Sequence, residues 1–214
     1  MSRFARRTNA SILLRLLDYA VDNDTYARVL RTLGTGIKIA AGRIETAARQ
    51  GPDDYADAVV DEETEIIESL LGTACVLCQT PITAVTQAAL QARRQGLRDG
   101  RTFLAFTDKS HEVRTLGDPF DTNHSKIEVL WALGNYFKHR DEWTRSTWTK
   151  PTGLAAFTVP LLLAAGLAPS STGNLRTGAE ALGNSDYSNM SVFEGIVQNW
   201  ANEVRVTTKQ AFER

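Results

Sequence analysis

From Asn9 to Arg49 the apolar residues fall three or four apart: Ile12, Leu13, Leu16 and Leu17, then Tyr26, Val29, Leu30, Leu33, Ile37 and Ile44. An α-helix turns once every 3.6 residues, so this spacing gathers the apolar side chains on one face and leaves the other polar. The cluster Asp22-Asn23-Asp24 divides the run and predicts a short helix followed by a longer one, with Asp24 as the N-cap of the second. Gly34, Gly36 and Gly42 each cost about 1 kcal/mol relative to alanine inside a helix, so they predict close helix contact or a local bend.

The same period returns along most of the chain. Gly51-Pro52-Asp53-Asp54 reads as a stop and a start, followed by a helix through Tyr55, Val59, Ile66, Leu70 and Ala74 towards Leu77. It resumes or kinks at Pro81 and continues to about Gln95, because proline lacks the N–H of the helical ladder. Residues 96–124 break the pattern. Thr102 to Thr107 alternates weakly, as a short strand would, and His111 to Leu116 is placed to pair with it across Asp108-Lys109-Ser110. Capping residues at Asp121-Thr122-Asn123 then open a helix carrying Ile127, Leu130, Leu133 and Phe137, with its end near Arg140 to Trp143. A compact apolar helix is predicted over 153–167, one or two turns over 175–182, and a last helix from Ser188 to about Glu213 with a broad apolar stripe. The expected fold is an all-α bundle of five or six helices in a single domain over residues 1–214, with an inserted loop or small hairpin around residues 100–120.

With 24 basic and 25 acidic side chains, no global charge marks a nucleic-acid binder, and any such surface has to be local. Arg3, Arg6 and Arg7 precede an apolar run that Arg15 and Asp18 interrupt, which argues against a signal peptide; as a basic arm these arginines are candidate phosphate contacts. No segment offers the roughly 20 uninterrupted apolar residues of a membrane span, so the expectation is a cytoplasmic protein with no membrane partner. Cys75 and Cys78 form one C-x-x-C within a helical pattern, without a second Cys/His pair to complete a zinc site, and read as buried thiols. Glu65 and Glu68 sit three apart in an acidic run, but no Glu-x-x-His accompanies them, so no metal and no cofactor is expected.

The densest chemistry lies in Gly134-Asn-Tyr-Phe-Lys-His-Arg-Asp-Glu-Trp143. On a helix, Trp131, Asn135, His139 and Trp143 share one stripe, with Lys138 beside it; Lys138 and Glu142 are four apart, and Tyr136 is placed to stack on Arg140. His139 is the candidate acid or base, Lys138 or Arg140 the candidate for offsetting phosphate charge, and Asn135 the group that orients a ring or a substrate hydroxyl. The rival reading makes His139 a cap for the last carbonyls of its helix, with the basic residues complementing the dipole.

An all-α domain with a late helix carrying N-x-x-x-H, here Asn135 to His139, resembles the HEPN superfamily. The resemblance implies a homodimer, a place in bacterial toxin–antitoxin or antiphage defence, and a metal-independent ribonuclease site of the form R-x(4 to 6)-H. It also marks a departure: the arginine positions fall on Gly134, Leu133 and Ala132. In sites of this kind such a cation is worth about 3 kcal/mol of transition-state stabilisation, and glycine cannot supply it. The expectation is therefore a HEPN-like protein with a degenerate or atypical site at Asn135, Lys138, His139 and Arg140, binding RNA, a nucleotide or a protein partner. The alternatives are an active ribonuclease using His139 with Lys138 or Arg140, and a non-catalytic structural or interaction bundle.

Overall fold

The computed structural model describes residues 3–22, 24–51, 54–103, 105–169 and 171–213; the side chains of 3–11 and 213 lie outside that description. Its regular elements are α1 (Arg3–Asp22), α2 (Thr25–Gln50), α3 (Asp54–Arg98), α4 (Ser110–Arg114), α5 (Lys126–His139), α6 (Arg145–Thr149), α7 (Ala155–Ala164), α8 (Asn174–Ala181) and α9 (Ser191–Glu213), with a single 3-10 turn at Arg140–Glu142. The protein is all-α. The expected five or six helices are too few, because stretches read as loop or turn contain the short helices α4 and α6, and α8 is a full element.

The expected hairpin is also absent among the described residues. Its second strand is instead the helix α4, whose Val113 is fully buried. Phe103 and Phe106 are buried three residues apart, which is not the two-residue alternation of a strand. Their loop is tied by a side chain where a strand would supply backbone: Arg93 donates through Nε to the Phe106 carbonyl at 2.8 Å and through a terminal nitrogen to Asp108 at 2.7 Å.

Pro81 does not interrupt α3, which runs 45 residues. An interior proline costs about 3 kcal/mol, whereas burying a large apolar side chain returns roughly 1.5 to 3 kcal/mol. Cys78, Ile82 and Val85 around it are fully buried, so local burial outweighs the broken rung. By length and composition alone α3 could cross a membrane, although 56% of its most apolar window is buried inside the protein, as in a core helix.

The chain forms two compact units. The first comprises Met1–Tyr26, Gln79–Glu128 and Gly195–Arg214, the second Ala27–Cys78 and Val129–Glu194. In the first, Ala92, Phe103 and Phe212 make a small cluster flanked by Leu13, Leu14 and Ala211, and the fully buried Trp200 donates its indole N–H to the Val113 carbonyl at 3.0 Å. Its surface carries the pairs Arg205–Asp22 at 2.9 Å and Lys209–Asp18 at 2.6 Å. In the second, Leu30, Ile37, Leu71, Leu130, Leu133, Leu162 and Phe193 form the core. There the Glu68 carboxylate, almost wholly buried, accepts from the backbone N–H groups of Leu175 at 3.0 Å and Arg176 at 3.1 Å, and so caps the start of α8.

Candidate functional site

α5 begins in a reciprocal cap. The Ser125 N–H donates to Glu128 Oε2 at 2.9 Å while the Glu128 N–H donates to Ser125 Oγ at 3.3 Å, the S-x-x-E arrangement that satisfies two otherwise orphaned donors. The expected caps Asp121 to Asn123 lie one turn earlier, where Asp121 organises the approach by accepting from the N–H groups of Asn123 at 2.7 Å and His124 at 2.8 Å. Asp121 Oδ2 also lies 2.9 Å from His124 Nδ1, and the hydrogen bond from His124 holds the Asp121 carboxyl below its ordinary value.

The middle of α5 is interior. Ala132, Leu133 and Gly134 are buried; a Cβ added at Gly178 would strike the Leu133 side chain, and one added at Gly72 would strike the Phe137 ring. These two glycines therefore set how closely α8 and α3 approach α5. The three positions at which the resemblance asks for arginine are those that the core closes off.

The polar end emerges abruptly. Asn135 is half-buried, whereas Lys138, His139 and Arg140 are exposed. The helix stops at His139 and the next three residues tighten into the 3-10 turn. With three residues per turn, neighbours shift from four apart to three apart. Glu142 accordingly meets His139 and not Lys138, with 3.3 Å between Glu142 Oε2 and His139 Nδ1. Lys138 makes no ion pair among the described residues. Arg140 lies over the Phe137 ring at 4.9 Å and 3.8 Å from Asp141, in place of the expected stack on Tyr136.

Tyr136 belongs to a different group. Tyr136, Trp143 and Trp148 meet edge to face, with ring centroids 5.6 to 5.8 Å apart. The Tyr136 hydroxyl accepts from Asn174 Nδ2 at 2.9 Å, and the buried Asn174 also spans both the N–H and the carbonyl of Ala168. Trp143 has thus left the helix stripe to seat the chain after the 3-10 turn, and Trp131 and Asn135 remain half-buried on α5.

Lys138, His139 and Arg140 are brought together at one exposed end, with Asn135 one turn behind. The resulting surface has little covalent machinery: one imidazole, the carboxylates of Asp141 and Glu142 beside Arg140 and His139, and the cations Lys138 and Arg140, which suit phosphate oxygens. Arg145 and Lys150 extend the exposed charge along the following segment, without an ion pair among the described residues. The sequence reading missed both, although the spacing K-x-R-x4-R-x4-K was present, as was W-x4-W for the aromatic group.

The other candidates resolve simply. Both Glu68 oxygens are spent on α8, while Glu65 is exposed, and no group of three metal-ligating side chains occurs among the described residues. Cys75 and Cys78 are buried, and burial pushes the Cys75 thiol up to about 12 and Cys78 well above its ordinary value, so neither is a thiolate nucleophile near neutrality. The backbone of Arg3, Arg6 and Arg7 belongs to α1, but their side chains, and with them the phosphate-contact expectation, lie outside the described residues. No protein-family model, curated protein or solved structure matches the chain.

Proposed function

We propose that the protein is a HEPN-like, non-cleaving RNA-binding protein, acting as a homodimer in a bacterial defence or toxin–antitoxin setting, and that the cationic end of α5 is its contact with the RNA backbone. One observation carries the reading: Lys138, His139 and Arg140 are exposed together, while Ala132, Leu133 and Gly134 are buried in the core. Cations at solvent bind phosphate by releasing counterions and need no cavity. Cleavage needs a further cation held against the reacting phosphate, and the buried positions exclude one on the N-terminal side of Asn135. The half-exposed Trp143 beside them adds a surface on which an unpaired base can stack.

The test is a single-stranded RNA incubated with the protein in the presence of a chelator, followed by both anisotropy and gel analysis. The expected result is intact RNA, bound at low salt, with affinity falling about tenfold in Lys138→Ala/Arg140→Ala. Cleavage that disappears in His139→Ala would replace this reading with the metal-independent ribonuclease, His139 working with Lys138 or Arg140. Light scattering of the purified protein tests the dimer, and a monomeric mass would remove that part.

A further inference from the structure

An open surface groove of about 340 Å³ in the second unit, lined mostly by exposed side chains, lies between α2 and the segment that leads into α9. Arg31, Thr35 and Lys38 of α2 line one wall, Ser188, Asn189 and Ser191 the other. Gly34 makes the approach possible: a Cβ there would strike the Ser188 carbonyl and lie 3.1 Å from Met190 Cγ.

What the groove offers is decided by which polar atoms are already used. The Ser188 hydroxyl bonds Asp186 at 2.7 Å, the Ser191 hydroxyl bonds Asn189 Oδ1 at 2.6 Å, and the Thr35 hydroxyl donates to the Arg31 carbonyl at 3.1 Å. Those donors are committed. The Asn189 amide nitrogen and the Lys38 ammonium have no partner among the described residues, and Arg31 forms an ion pair with Glu194 at 3.5 Å that leaves its other N–H donors unused. Unused N–H donors with the unpaired charge of Lys38 and the Glu194-paired Arg31, and no carboxylate among the lining residues themselves, suit an anion rich in acceptor oxygens.

We propose that this groove binds a small phosphate monoester. A phosphate monoester carries about −1.5 to −2 charge near neutral pH and three acceptor oxygens, each of which can accept from one of the three side chains Arg31, Lys38 and Asn189. A volume of 340 Å³ falls at the lower end of small-molecule sites, which leaves room for an organic portion that inorganic phosphate would not fill. The groove is separate in sequence from the cationic end of α5, and the proposal stands independently of the RNA reading.

Calorimetric titration at low salt tests it with ribose 5-phosphate, a nucleoside 5′-monophosphate, the unphosphorylated nucleoside and inorganic phosphate. The expected result is binding of at least one monoester, no binding of the nucleoside, and affinity about tenfold or more lower in Lys38→Glu, whose exposed position lets the fold survive. Lys138→Ala/Arg140→Ala, substituted at the other surface, keeps the monoester affinity. Equal affinity in wild type and Lys38→Glu, with circular dichroism unchanged, overturns the site, as does failure of both monoesters to bind wild type. Inorganic phosphate binding as tightly as the monoesters overturns the organic part.

Discussion

Glu68 on α3 and Arg176 on α8 are joined twice: Glu68 Oε1 lies 3.1 Å from the backbone nitrogen of Arg176 and 3.1 Å from its Nε. With Leu175 bound to the other oxygen, one carboxylate inside a long helix fixes where a short helix starts. Glu68→Ala leaves the backbone donors of Leu175 and Arg176 without their acceptor where Glu68 was almost wholly buried, and releases the part-exposed Arg176 side chain. Its unfolding free energy in urea is expected to fall by about 3 kcal/mol, with Glu68→Gln losing less. A loss within experimental error would show that α8 holds its position without the cap.

The Phe137 ring occupies the space that a side chain at residue 72 would need. Gly72→Ala is therefore expected to cost roughly 1 to 3 kcal/mol through overpacking, despite alanine's better helix propensity. Phe137→Leu in the same chain should recover part of that loss, because a smaller group meets the new methyl. A double-mutant cycle with no coupling would mean that the two helices adjust independently of this contact.

The helical period was legible because each long helix keeps one face in the core, and α2 and α9 follow it closely. Elsewhere local signals were outweighed. Pro81 announces a break, yet Cys78, Ile82 and Val85 are buried around it, and burial is set by neighbours that a linear pattern does not contain. Phe103 and Phe106 sit in a weakly alternating segment, but Arg93, ten residues before Phe103, takes the carbonyl that a strand partner would have taken. In the candidate site the cluster of Lys138, His139 and Arg140 was readable from composition. Its pairings were not, since the change from α to 3-10 geometry after His139 moves Glu142 from Lys138 to His139.

One local signal is fully written in the sequence: Ser125-Lys-Ile-Glu128 is an S-x-x-E cap, one turn beyond Asp121-Thr122-Asn123. Ser125→Ala should lower stability by about 1 to 2 kcal/mol. Asp121→Ala, which disturbs only the approach to the cap, should leave α5 amide exchange protected from Val129 onward. Loss of that protection would make Asp121 the true start of the helix.

The buried thiols predict an alkaline limit. Well below pH 9.0 Cys75 is protonated in both folded and unfolded chains and contributes no pH dependence; as pH rises through that value and on towards about 12 the unfolded chain releases the proton first, so stability falls as pH rises. Urea midpoints measured upward from pH 8.5 are expected to decline more steeply in wild type than in Cys75→Ala/Cys78→Ala. Native protein should also resist alkylation that unfolded protein undergoes at once. Parallel slopes, or rapid labelling of the native chain, would contradict burial of the pair.

The most direct test of the central claim, that the end of α5 holds an RNA backbone, is the salt dependence of single-strand binding. Each neutralised phosphate contributes about −0.7 to the slope of log affinity against log salt concentration. Removing Lys138 and Arg140 together should therefore make the slope shallower by about 1.4 while leaving the RNA intact. A slope unchanged between wild type and Lys138→Ala/Arg140→Ala would place the RNA elsewhere on the protein and contradict the account.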